Sequence, residues 1–80
     1  MKDTKLTIQV RDALRELHFR RGKKPYSMQA IRRMLLLKTN GETMLRDQQI
    51  VETLEQMKDV TAFKIGVSDG KDIVGYDFTR

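Results

Sequence analysis

The spacing of the apolar residues changes near residue 60, and this constrains the fold more than any other feature of the chain. Up to Met57 they recur at helical intervals, whereas from Phe63 to Phe78 they alternate. In the stretch TMLRDQQIVETLEQMK, residues 43–58, Met44, Ile50, Val51, Leu54 and Met57 share one side of a 3.6-residue helix. Thr43 is placed to cap its amino end. Leu45, Gln48, Gln49, Glu52 and Gln56 fall on the opposite side, flanked by Arg46 and Thr53.

Two more helices precede this one. Leu6, Val10, Ala13, Leu14 and Leu17 form a stripe that predicts a helix over about 4–21, capped by Asp3 or Thr4. Leu6, Ile8 and Val10 would also suit a strand, but the helical pattern continues through Leu17. Ile8 and Phe19 lie off the stripe and are candidates for packing beneath the C-terminal hairpin or for dimer contact. Gly22 ends this helix and Pro25-Tyr26 forms a short extended link. Ser27 then caps a second helix over 27–38. It turns Ala30, Ile31, Met34, Leu35 and Leu37 inward and Gln29, Arg32 and Arg33 outward, with Leu36 near the outward side. Asn40 or Gly41 stops it in the left-handed conformation, and the third helix covers 43–59.

Residues 62–78 read as a β-hairpin. A type I′ turn at Asp69-Gly70 pairs Ile65 with Val74 and Phe63 with Tyr76. A type II′ turn at Gly70-Lys71 pairs Val67 with Val74 and Ile65 with Tyr76. Either register gathers the apolar residues on one face that could close over the helices, in a mainly α fold with a C-terminal hairpin (α+β).

Eighty residues allow a single domain, residues 1–80, with one core, and the absence of cysteine leaves packing to hold it. No apolar run approaches the ~20 residues that span a bilayer, and no secretory block opens the chain, so a cytoplasmic protein without membrane contact is expected. The net charge of +5 is unevenly spread. Residues 1–38 hold 11 Lys and Arg against 3 Asp and Glu (+8), and residues 39–80 hold 5 against 8 (−3). A basic half points to an anionic partner, nucleic acid first. In RRGKK, residues 20–24, the arginines suit the helix end, and Lys23 and Lys24 are left over for a phosphate backbone.

Chemistry-bearing constellations do not emerge. His18, read as an exposed residue of the first helix, has no second metal ligand and no nucleophile beside it. Gly22-Lys23-Lys24 lacks the spaced glycine and the Ser or Thr of a P-loop. Asp69 and Asp72 are too few for a calcium loop. The reading is a non-enzyme without cofactor or metal.

Helix, short extended link, helix, turn, helix, hairpin: this order resembles the winged helix-turn-helix superfamily. The resemblance implies a non-catalytic protein that binds double-stranded DNA, acting as a transcriptional regulator or an accessory factor in DNA transactions. It implies that the third helix offers Arg46, Gln48 and Gln49 to base edges, for which Arg suits guanine and Gln suits adenine. It further implies phosphate contacts from Arg32, Arg33 and Lys38, and a wing-tip contact from Lys71. A homodimer would read two half-sites. Against this, Glu42, Asp47, Glu52, Glu55 and Asp59 make the third helix and its edges acidic. The alternative is a protein-interaction module that docks a partner on that helix, with Leu36 and Leu45 as apolar anchors.

Overall fold

The stripe at Val10, Ala13, Leu14 and Leu17 winds into one buried side of a helix, α1 (Lys5–Arg21). The computed structural model describes residues 5–41 and 46–79. Helix prevails over strand at the start because a strand would bury Ile8 beside Val10, whereas Ile8 is half exposed. Phe19 is 86% exposed, so it does not pack beneath the hairpin. Gly22, at φ +101°, donates its N–H to the His18 carbonyl at 2.9 Å and closes the helix.

Tyr26–Ser27 is more than a link: it forms a two-residue strand, β1. Ser27 Oγ then accepts from the Ala30 N–H at 3.2 Å and opens α2 (Met28–Lys38). Ile31, Met34 and Leu35 are buried there, but Leu37, expected inside, is 58% exposed. At ~100° per residue it lies roughly 120° around the helix from Ile31, beyond the arc that meets α1. Asn40 and Gly41 both take positive φ and end α2. The expected cap Thr43, with Met44 and Leu45, lies outside the described residues.

The third helix is shorter than the predicted 43–59. It runs from Asp47 to Gln56 as α3, with Ile50 and Leu54 buried. Arg46 is its extended N-cap, and the Gln49 side chain reaches back to accept the Arg46 N–H at 3.0 Å. Met57 turns extended and stays buried, and the chain passes into β2 (Val60–Ser68) and β3 (Lys71–Phe78). Arg11 of α1 clasps Asp59 at this passage, Nε to Oδ2 at 2.8 Å and Nη2 to Oδ1 at 3.3 Å. The Arg11 hydrogen bond holds the Asp59 carboxyl below the ordinary aspartate range, against a smaller opposing effect of burial. A depressed carboxyl stabilises the fold above its unfolded pKa and loses that contribution as pH falls through the folded value. Asp59→Asn is therefore expected to lower stability at pH 7 by up to ~1 kcal/mol for this half-exposed pair. The variant and the parent should converge only as pH falls well below about 4, through the depressed folded value, as urea titrations at neutral and strongly acid pH would show.

The sheet is antiparallel in the order β1-β3-β2. Asp69 and Gly70 have φ +51° and +76°, which is the type I′ turn, and Ser68 faces Lys71. A bulge between Lys64 and Gly66 then shifts the pairing by one residue. Phe63 therefore faces Gly75 and Ala62 faces Tyr76, which corrects both predicted registers. The hairpin also does not close over the core as expected. Tyr76 is buried and Val60 and Phe78 pack beside it, but Phe63, Ile65, Val67, Ile73 and Val74 are 39–58% exposed. The helices cover only the base of the arm. Tyr76 is buried there, while Val74, two residues nearer the tip on the same side, is 40% exposed.

Gly75 marks the tightest point of the sheet. A Cβ there would lie 2.9 Å from Ile65 Cγ2 and 3.0 Å from Pro25 Cβ, both stiff groups. Gly75→Ala is expected to destabilise by about 1–3 kcal/mol through overpacking, measured as a lower urea midpoint.

Candidate functional site

The C-terminal turn of α1, the cap residue Ser27 and one side of α2 meet in one groove. It has a volume of about 280 Å³, and its walls include Arg20, Arg21 and Arg33 with Ser27 and Gln29. A second depression of about 230 Å³ lies on the outward side of α2 between Gln29, Arg32, Arg33 and Leu36. Gln29 and Arg33 border both because residues four apart share a helix face. Tyr26 fixes the loop that carries Lys23 and Lys24: its buried hydroxyl donates to the Gly22 carbonyl at 2.7 Å and lies 3.2 Å from that of Leu17. Burial pushes the phenol above its ordinary pKa.

The cations divide into engaged and free. Glu16 holds Arg20 at 2.7 Å and Lys38 at 3.7 Å, and the Arg20 hydrogen bond keeps its carboxyl below the usual glutamate range. Arg32 reaches Asp47 of α3 at 3.2 Å. Lys24 sits 5.7 Å from the Tyr26 ring centre. Arg21, Lys23 and Arg33 have no carboxylate partner among the described residues. Of the expected phosphate contacts, Arg33 lines the groove, Lys23 and Lys24 follow Arg21 in the exposed loop after α1, and Arg32 and Lys38 are tied to acids. Lys71 stands at the hairpin turn, about 14 Å along the strand from Gly75 at ~3.4 Å per residue.

The residues expected to read bases are less free. Gln49 is spent on its own helix cap, and the Gln48 side chain donates to Glu52 at 3.1 Å. Arg46 is exposed at the amino end of α3. Among the candidate apolar anchors, Leu36 is half-buried against the second depression, Ile8 and Phe19 are exposed on α1, and Leu45 lies outside the described residues.

Arg20 and Arg21, read from sequence as suiting the helix end, also line the groove. His18 is not the exposed imidazole expected. Its side chain is 14% exposed, with Nε2 2.7 Å from Asp77 Oδ1 but not aligned as a hydrogen bond. The ring packs edge-on to Phe78, with centres 5.3 Å apart, and tilts against Tyr26 at 5.9 Å. Asp77 is 59 positions away, and only the pairing of β3 beside β1 brings it there.

No protein-family model, curated protein or solved structure matches this chain.

Proposed function

We propose that this chain is a winged helix-turn-helix protein that binds double-stranded DNA without catalysing a reaction, as a small transcriptional regulator or accessory factor in the cytoplasm. The observation that carries this reading is the groove between α1 and α2, where Arg21 and Arg33 converge without an acidic partner among the described residues. The free cations lie near one another while the nearby carboxylate of Glu16 is already occupied. Guanidinium groups in such a groove suit phosphate oxygens, which they can meet in pairs. The element order, with the sheet order β1-β3-β2, supports the winged arrangement.

In this reading Arg21, Lys23, Lys24 and Arg33 hold phosphates and fix the register of the protein on the duplex. Arg46 carries the base contact at the start of α3. Gln48 joins it only by exchanging its bond to Glu52, and Gln49 only by uncapping its helix. Fluorescence anisotropy with a mixed-sequence duplex across a salt series tests the proposal. The expected result is saturable binding with a dissociation constant on the order of 10⁻⁴–10⁻⁶ M at physiological salt, weakening linearly on a log–log plot. Absence of binding even at low salt would overturn it and favour the protein-docking alternative through α3, whose exposed Glu52 and Glu55 suit a basic partner.

A further inference from the structure

The open face of the hairpin has the wrong polarity for a surface that stays wet. Along β3, Tyr76, Val74 and Asp72 point to one side and Ile73 and Gly75 to the other. Tyr76 is buried against the helices; on the second side Asp77 is buried at the base beside His18 of α1, and beyond Gly75 toward the tip that side faces outward. Phe63 faces Gly75 across the sheet, and Ile65 and Pro25 converge over the same glycine. An antiparallel sheet with one face on the core normally turns polar residues outward. Here the outer face presents Phe63, Ile65 and Ile73, exposed by 42, 45 and 39%. The charged pair of the arm, Lys64 and Asp72 at 3.3 Å, lies instead on the Tyr76 side. Contiguous apolar patches of this kind mark contact sites.

We propose that a second copy of this chain covers the outer face, with the two hairpins packed sheet on sheet and antiparallel. Charge selects the occupant. Residues 60–78 carry two lysines and three aspartates, of which Asp77 is buried, so the exposed arm is close to neutral while the remainder of the +5 chain carries +6. Two copies can meet hairpin to hairpin without bringing one basic surface against the other. An acidic partner would be drawn to those basic surfaces instead. Antiparallel packing also sets Asp69, at the tip of one hairpin, beside Lys23 and Lys24 at the base of the other. The span from Gly75 to Asp69, six residues, is about 20 Å. The arm offers a footprint of roughly 30 by 10 Å, less than the ~800 Å² per partner of standard interfaces. The dimer is accordingly weak, with a dissociation constant on the order of 10–100 µM.

Sedimentation equilibrium on the full chain without DNA, up to roughly 0.5 mM, tests this proposal independently of DNA binding. The parent should dimerise, and Ile65→Lys should weaken it at least about tenfold by burying a charge in the patch. Asp69→Asn keeps a residue that tolerates the turn and should weaken it about two- to fivefold, less so in high salt. Asp69→Asn also keeps the test decisive if Ile65→Lys fails to fold by circular dichroism. Phe19→Ser and Ile8→Lys on α1 should leave the constant unchanged. A parent that stays monomeric, an Ile65→Lys dimer as tight as the parent, or loss of the dimer in Phe19→Ser would each overturn the proposal. A monomer whose Ile65→Lys variant loses duplex affinity would overturn it too, and assign the patch to DNA.

Discussion

Leu14→Ala is expected to remove about 3–5 kcal/mol of stability, most of what an 80-residue domain is expected to possess. Leu14 is fully buried among Val10, Ala13 and Leu17 of its own helix, in the core shared with α2 and α3. Truncation loses the transfer free energy of the deleted carbons and leaves a cavity that cannot easily collapse. With no cysteine in the chain, no disulfide can offset the loss. Urea unfolding at 25 °C should show a strongly reduced midpoint, and the variant should be partly unfolded near 37 °C. A cost below about 1 kcal/mol would mean that the helices pack loosely enough to fill the space, against the single closed core described here.

Arg21→Ala combined with Arg33→Ala should weaken duplex binding by roughly 30–150-fold at low salt, from about 1–1.5 kcal/mol per charged contact. Removing two phosphate contacts should also lower the salt slope by about 1.8, at ~0.9 per phosphate. Arg32→Ala alone should change either quantity less, because its guanidinium is shared with Asp47 at 3.2 Å. Neither Arg21 nor Arg33 is buried, so the double variant should fold like the parent. Unchanged affinity and slope would remove the groove from the interface.

Much of the architecture was legible because it depends on local pattern. The stripe through Leu14 and Leu17, the Ser27 cap, the glycines that end helices and the Asp69-Gly70 turn each act over a few residues. What remained hidden depends on partners distant in sequence. No local signal marks the bulge at Lys64–Gly66, which moves the pairing beyond it out of both expected registers. The exposure of Phe63 and Val74 reflects how far the helices extend over the sheet, which alternation alone cannot report. His18 looked exposed because Asp77, Tyr26 and Phe78 meet it only in the folded chain. At the candidate site the charge run in RRGKK was visible. The division between free and engaged cations was not, since it depends on Glu16 and Asp47 reaching neighbours.

The Tyr26 hydroxyl has a consequence for the thermodynamics of ligand capture. By bonding the carbonyl of Gly22, close to that of Leu17, it anchors the start of the lysine loop to the end of α1. Ordering a free backbone costs about 1–2 kcal/mol per residue, and in a slack loop that cost would fall on the moment of association. In this chain it is met during folding. Affinity for an anionic ligand then depends on the chemistry of the cations themselves, with a smaller entropic penalty to overcome.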